Sequence, residues 1–138
     1  MQQLPAEVKN HLKQLVAEYK KTGGRELALD VCIRWLAGTP TDHQLIAIDE
    51  FAMFLLFTSP DSAIELMTKR LGQFPDRSAG VGWSVLAAAY SQQGKTQRAI
   101  DACKEGLKQD IPMRMRINLF SVLSKYEDAS HALSELIE

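Results

Sequence analysis

The sequence is poor in several residue types and patterns that mark whole classes of protein. Its 138 residues include only two cysteines, too few for a disulfide-rich secreted domain. The formal net charge is −1, so the basic excess that attracts nucleic acid or an acidic membrane is missing. No apolar run reaches the roughly 18–20 residues that span a bilayer, and the first residues lack the basic and apolar segments of a secretory signal. We therefore expect a cytoplasmic protein without a membrane span.

The chain also lacks the ligand patterns of metal and cofactor sites. Neither Cys32 nor Cys103 has a cysteine or histidine at ligand spacing, so we expect buried free thiols rather than zinc ligands. His11, His43 and His131 are isolated, without a carboxylate or nucleophile at helical spacing. No cofactor and no nucleic-acid partner are therefore expected.

Strand-like alternation and hairpin sequences are missing too, which leaves an all-α fold. Apolar residues recur at helical spacing between glycine and proline breaks such as Gly38-Thr39-Pro40. The pattern predicts helices over about residues 5–22, 25–36, 42–57, 62–73, 81–93 and 97–109. Thr41 or Asp42 is the expected cap of the third helix, and Asp61 or Ser62 that of the fourth. Residues 113–126 and 129–137 would form either a truncated fourth pair or one bent helix.

One set of residues recurs three times along the chain. Aligned alanines stand at Ala28, Ala63 and Ala99, at intervals of 35 and then 36 residues. Around them recur a large apolar residue, a small residue, an aromatic ring and a closing proline, most regularly between Trp83 and Pro112. This pattern resembles the tetratricopeptide repeat.

The resemblance implies one domain over residues 1–138, a helical-hairpin repeat solenoid that forms a superhelix of about seven to eight helices. The repeats would span about residues 9–42, 43–78 and 80–112, and residues 113–138 would cap the last apolar face. The aligned alanines would let the helices cross closely, and Gly23 and Gly94 would permit the tight turns within pairs. Trp83 would lie deep between helices, where its indole N–H needs a partner or a path to solvent.

Proteins of this family usually bind other proteins and carry out no chemistry. The resemblance therefore implies a non-catalytic scaffold or adaptor, in which the first helix of each pair lines a concave, partly apolar groove. Such a groove suits a helical or extended segment of a protein partner. Matching by register, in which a one-residue slip leaves two choices for the second repeat, assigns these residues to partner binding: Lys13, Ala17, Lys20, Asp49, Met53, Leu56, Phe57, Ser84, Ala88 and Gln92.

One subgroup of the family holds the carboxyl termini of heat-shock chaperones with paired lysines and asparagines. Lys13 stands where such a lysine would be, but Ala17 replaces its asparagine partner. In the third repeat, Ser84 and Val85 stand in place of basic residues. A carboxylate clamp of that kind is therefore not expected.

The middle repeat is unusual because its first helix is polar only at Asp49 and Glu50 between Leu45 and Phe57. A helix apolar on nearly every side is buried or covered. The short chain with an apolar groove is similar to bacterial type III secretion chaperones, which hold aggregation-prone cargo. Alternatively the chain's own tail covers this helix, or a second subunit does so in a homo- or hetero-oligomer.

Catalytic motifs are incomplete. Gly94-Lys95-Thr96 resembles the end of a phosphate-binding loop, but Ala89 occupies the position of the required glycine and lies in a predicted helix. Asp49 and Glu50 are adjacent, and neighbours on a helix point about 100° apart, so they do not converge as an acid–base pair. We expect one to face the groove and the other solvent, and we expect no enzymatic activity.

Overall fold

The structure, a computed structural model, describes residues 4–74, 80–109, 111 and 113–137, with the backbone alone described for residues 80 and 126–137. Pro75 and Pro112, the predicted ends of the second and third repeats, lie outside these residues. None of the described helices is long and apolar enough to cross a membrane. The described residues form seven α-helices: α1 (Ala6–Tyr19), α2 (Gly24–Ala37), α3 (Asp42–Leu55), α4 (Pro60–Gln73), α5 (Gly80–Gln92), α6 (Thr96–Lys108) and α7 (Met113–Ile137).

The helices are arranged as consecutive hairpins. α1 packs on α2, α3 on α4 and α5 on α6, and the next helix along the chain then packs on α4 and on α6. α1, α3, α5 and α7 also lie side by side, while α2 and α4 contact each other behind them. The predicted all-α helical-hairpin repeat is confirmed, and no strand occurs among the described residues. Each hairpin buries its apolar faces against the next.

Local residue chemistry sets the turns between the helices. Gly23 and Gly94 have φ values of 70° and 73°, in the left-handed region that glycine enters without a steric penalty. The predicted cap of α3 is also confirmed: the Gln44 backbone N–H donates to the Thr41 hydroxyl at 3.1 Å. The Thr41 backbone N–H in turn donates to the Gln44 side chain at 2.9 Å, which completes a capping box.

Three predicted helix boundaries are wrong. α1 ends at Tyr19 rather than near residue 22. α3 ends at Leu55, and Phe57 follows it in a turn. α4 begins at Pro60, so neither Asp61 nor Ser62 is its cap. Proline suits the first helical position because its fixed φ is helical and its missing N–H would have no partner there.

Small and apolar residues fill the centre of the molecule as predicted. Ala28, Ala63 and Ala99 are all fully buried. Cys32 and Cys103 are buried and free. Burial raises the pKa of the Cys32 thiol to about 12 and that of the Cys103 thiol above its ordinary value, so neither is a ready nucleophile.

Trp83 packs where α5, α6 and α7 meet. A Cβ atom added at Gly106 would stand 2.9 Å from the Trp83 Cβ and 2.6 Å from the Leu119 Cδ1. Glycine at this position therefore allows α6 to approach the other two helices closely. The Trp83 indole N–H is buried and has no hydrogen-bond partner among the described residues.

The C-terminal segment is one continuous helix rather than two. α7 runs 25 residues from Met113 to Ile137 and packs on α5 and α6. Leu119 and Leu123 are buried in this contact. The segment thus covers the last hairpin, and Phe57, in the turn after α3, remains 82% exposed.

Candidate functional site

A cleft lies along the exposed side of α1. It has a volume of about 470 Å³. Six residues of α1 line it at helical spacing, three apolar and three lysines: Leu12, Val16 and Ala17, and Lys9, Lys13 and Lys20. The adjacent face of α1 is buried, with Val8 and Leu15 fully inaccessible. The amphipathic pattern that buries one side of α1 therefore also presents the lysine-lined side outward.

A second exposed surface lies on the next first helix, α3, and on the turn after it. Ile46, Glu50, Met53 and Phe57 recur at intervals of four, three and four residues, which places them on one helix face. Met53 is 39% exposed and Phe57 82%, while Ile46 and Glu50 are half-buried. Large apolar side chains this exposed are uncommon at the centre of a packed helical layer.

Aromatic rings connect α1 to α3 between these two surfaces. Tyr19 meets Phe54 edge-to-face, with ring centroids 5.1 Å apart, and Phe51 likewise at 6.1 Å. Phe51 and Phe54 stack at 5.9 Å. Lys20 follows Tyr19, and Phe57 lies three residues after Phe54. The exposed side chains of Lys20 and Phe57 therefore flank this aromatic junction. We call the cleft and the α3 stripe together the α1–α3 surface, defined by Lys9, Leu12, Lys13, Val16, Ala17, Lys20, Ile46, Glu50, Met53, Phe54 and Phe57.

Two of the predicted binding residues do not reach this surface, which corrects the register chosen for the second repeat. Asp49 is 1% exposed and Leu56 7%. The Asp49 carboxylate accepts hydrogen bonds from the Arg70 guanidinium of α4, at 3.0 Å from Nε and 3.2 Å from Nη2. Arg70 is itself fully buried and also donates to the Phe74 carbonyl. Asp49 is therefore part of the core, where its charge is matched.

The other predicted residues are placed outward to different degrees. Lys13, Ala17 and Lys20 line the α1 cleft, and Met53 and Phe57 lie on the exposed side of α3. On α5, Gln92 is exposed, whereas Ser84 and Ala88 are half-buried. The Ser84 hydroxyl oxygen is buried and has no hydrogen-bond partner among the described residues. The α1–α3 surface thus gathers five of the ten predicted residues.

Sequence reasoning missed several residues of this surface. Ile46 and Glu50 share a helix face with Met53 and Phe57, as the four–three–four spacing could have shown. Lys9, Leu12 and Val16 line the cleft but were not among the predicted site residues. Their spacing to Lys13 and Lys20 is also helical, so the periodicity of α1 alone could have identified them.

Glu50 is the carboxyl group of the α1–α3 surface. It lies one turn before Met53 on α3 and is half-buried. Desolvation raises the pKa of this carboxyl above its ordinary value. The expectation that one acid of the Asp49–Glu50 pair would face the groove and the other solvent fails for Asp49, which is in the core, whereas Glu50 is half-buried on α3.

The histidines show one contact that the sequence did not reveal. The His43 Nδ1 lies 2.5 Å from the Glu7 carboxylate, and this pair connects α1 to α3 on an exposed edge. His11 packs edge-to-face on Trp35 at 5.2 Å. The side chain of His131 lies outside the described residues. In the described part of the chain, no three or more His, Cys, Asp or Glu residues are grouped so as to hold a metal ion.

Comparison of the chain with protein-family models, curated proteins and solved structures finds no significant match. Function must therefore be argued from the surface itself. The residues that define it carry lysine ammonium groups, one carboxyl group and apolar side chains. Such a set suits a ligand that has both charged and apolar groups.

Proposed function

We propose that the chain is a non-catalytic protein-binding module of the tetratricopeptide-repeat type. In this proposal the α1–α3 surface, continued by α5, holds a helical or extended segment of another protein. The observation that carries it is the exposure of Met53, Phe54 and Phe57, together with the apolar residues Leu12, Val16 and Ala17 that line the α1 cleft. Two buried, free thiols favour a reducing compartment such as the cytoplasm.

The exposed side chains favour binding because they gain free energy when covered. Fully burying a Met or Phe side chain contributes about 1.5–3 kcal/mol. Phe57 is the most exposed large apolar residue described, and Met53 and Phe54 lie within one turn of it. Contiguous apolar surface flanked by charges marks interaction sites on folded proteins. A partner segment with two or three apolar anchors at helical or extended spacing fits this surface.

A site-specific photo-crosslinker tests this proposal. A benzophenone side chain introduced at Phe57 should crosslink a discrete set of proteins, and the Met53→Glu/Phe57→Glu variant with a crosslinker at Ile46 should lose them. Leu27→Glu is the matched control, because Leu27 is 40% exposed but lies on α2. It should leave crosslinking unchanged. Unaltered partners in the double variant, with helicity retained, would contradict the proposal.

An oligomerisation subunit is the second candidate, favoured by an apolar stripe on α7. Met113, Ile117 and Phe120 follow one helix face and are 69%, 60% and 52% exposed. They lie away from Leu119 and Leu123, the residues that α7 buries against the body of the protein. A secretion-type chaperone is a variant of this candidate in which the apolar middle helix, α3, contacts the other subunit.

Light scattering separates the two candidates. If α7 is a subunit interface, the chain should exceed its monomer mass at high concentration, and Ile117→Glu/Phe120→Glu should restore the monomer. If α3 is the interface, Met53→Glu/Phe57→Glu should do so instead. A strict monomer at every concentration tested would exclude homo-oligomerisation.

A further inference from the structure

We infer that the partner segment is acidic: it places side-chain carboxylates against Lys9, Lys13 and Lys20 and apolar anchors against Met53 and Phe57. This inference rests on the proposed function and names the chemistry of the partner. It is carried by the three lysines that line the α1 cleft together with three apolar residues.

The three lysines are available for a partner. None of them forms an ion pair within the part of the chain that the structure describes, although other lysines do. Lys21, on the turn after α1, pairs with Glu18 at 2.8 Å. The remaining acid of α1, Glu7, is engaged with His43. The carboxylates of α1 are thus turned to other sides, and the cleft has three unmatched positive charges.

The setting of these charges strengthens their attraction for a carboxylate. The lysines line the cleft together with Leu12, Val16 and Ala17, so a segment bound there also displaces water from apolar side chains. An ion pair formed beside low-dielectric material is stronger than one fully in water. The residues that define this surface include one carboxyl group, Glu50, which is half-buried on α3 and cannot by itself match three lysines.

The spacing of the lysines specifies how a partner can present its acids. Intervals of four and seven helical residues separate the lysine Cα atoms by about 6 and 10 Å along α1. An extended segment matches the shorter distance with carboxylates two residues apart, at roughly 3.3 Å per residue, which also places both on one side of the segment. A helical segment lying along α1 matches both distances with the same four- and seven-residue intervals.

A peptide segment fits this arrangement better than a bilayer or a nucleic acid. The three lysines follow one another along a single helix, which matches the charges of a narrow segment, whereas a membrane offers a plane of charge. Nucleic-acid binding is driven by broad basic surfaces, and the net charge of this chain is −1.

Two synthetic peptides test the inference directly. Both are 18-residue helices with the same leucine stripe, acetylated and amidated so that no terminal carboxylate contributes, and their flanking residues are all Glu in one and all Lys in the other. The acidic peptide should bind the full chain about tenfold more tightly, since each exposed ion pair contributes a modest amount. Raising the salt concentration from 50 to 500 mM should weaken the binding of the acidic peptide but not that of the basic peptide.

Charge reversal on the protein completes the test. Lys9→Glu/Lys13→Glu/Lys20→Glu should remove or invert the preference between the peptides. The matched control is Lys95→Glu/Lys104→Glu/Lys125→Glu, which changes the net charge equally at exposed positions away from α1 and α3 and should keep the preference. Circular dichroism and thermal unfolding establish that both variants remain folded.

Each alternative outcome overturns the inference in a recognisable way. Equal binding of both peptides, lost in Met53→Glu/Phe57→Glu, would refute the acidic partner and leave the proposed function intact. Absence of binding to either peptide would count against both. Capture by vesicles of phosphatidylserine that depends on the three lysines would assign the surface to a membrane. Self-association of the chain that the triple reversal abolishes would assign it to a second copy.

Discussion

At the scale of single residues, the buried pair of Asp49 and Arg70 shows how a charge becomes part of the core. Both side chains are inaccessible, and they join α3 to α4 through two hydrogen bonds. A Cβ atom added at Gly82 of α5 would lie 3.3 Å from the Asp49 Oδ1, so the pair also contacts the third hairpin. Removing two charges from water costs several kcal/mol per ion, on the order of what their attraction returns. Removing either side chain alone therefore leaves the other charge buried without compensation, which destabilises the fold.

We predict a strongly non-additive effect when this pair is dismantled. Asp49→Leu alone should lower the free energy of unfolding by about 3–5 kcal/mol, because it leaves the Arg70 guanidinium buried without its carboxylate. Asp49→Leu/Arg70→Met should be less destabilised than the sum of the two single variants. Urea denaturation of all four proteins measures the coupling. Additive losses would show that the two charges do not depend on each other.

Glu50 gives a pH-dependent prediction of defined sign. Its pKa is raised in the folded chain, so folding favours the protonated carboxyl. The resulting stability is present below the ordinary pKa of glutamate and is lost as the pH rises through the raised value. Glu50→Gln should therefore be more stable than the unaltered chain at pH 7 and equal to it at pH 3, as urea denaturation at both pH values would show.

The control for this experiment is Glu65→Gln on α4. The Glu65 side chain is exposed and lies 4.0 Å from Lys69 across one turn. Exposed pairs of this kind change stability by at most about 1 kcal/mol. A gain in Glu50→Gln that is the same at pH 3 and pH 7 would show that desolvation of the carboxylate is not its cause.

At the scale of helices, two glycines of similar appearance in the sequence have opposite roles. A Cβ added at Gly106 of α6 would meet the Trp83 Cβ at 2.9 Å, and that atom is fixed to the α5 backbone. A Cβ added at Gly72 of α4 would meet nothing within 4 Å. Neither glycine has a positive φ, so both backbones accept alanine.

We therefore predict opposite signs for the two alanine substitutions. Gly106→Ala should destabilise the protein by about 1–3 kcal/mol, because α6 must move away from α5 and α7. Gly72→Ala should stabilise it by up to about 1 kcal/mol through a lower entropy of the unfolded chain. Thermal or urea unfolding of the two variants under one condition checks both. A stabilising Gly106→Ala would mean that α6 does not approach Trp83 this closely.

The helices also show what the sequence can and cannot predict. Their number and order follow from local features, such as the glycine turns at Gly23 and Gly94. Matching the repeat left two choices of register for α3, and the one adopted placed Asp49 and Leu56 outward although both are buried. The residue that neutralises the charge of Asp49, Arg70, lies 21 positions later, and no local pattern connects the two. The Glu7–His43 contact was missed for the same reason, across 36 positions.

At the scale of the whole molecule, the hairpins form a chain of nearest-neighbour contacts. α7 packs on α5 and α6, whereas α1 packs on α2 and α3. In such repeat arrangements, stability is approximately a sum of local terms and interface terms between neighbours. We therefore expect a destabilising substitution at one end of the chain to leave the other end unaffected. The central α3 should be affected by substitutions at either end.

Leu119→Ala and Leu15→Ala test this separation as a matched pair. Both leucines are fully inaccessible, Leu15 on α1 and Leu119 on α7, and each truncation should cost about 2–5 kcal/mol at its own end. Hydrogen exchange followed by mass spectrometry should show Leu119→Ala accelerating exchange in α5 and α6 while α1 and α2 keep their protection. Leu15→Ala should give the reverse. If either variant instead accelerates exchange equally along the chain, the molecule unfolds as one cooperative unit, and the exposed side of α3 could not respond to a partner independently of α7.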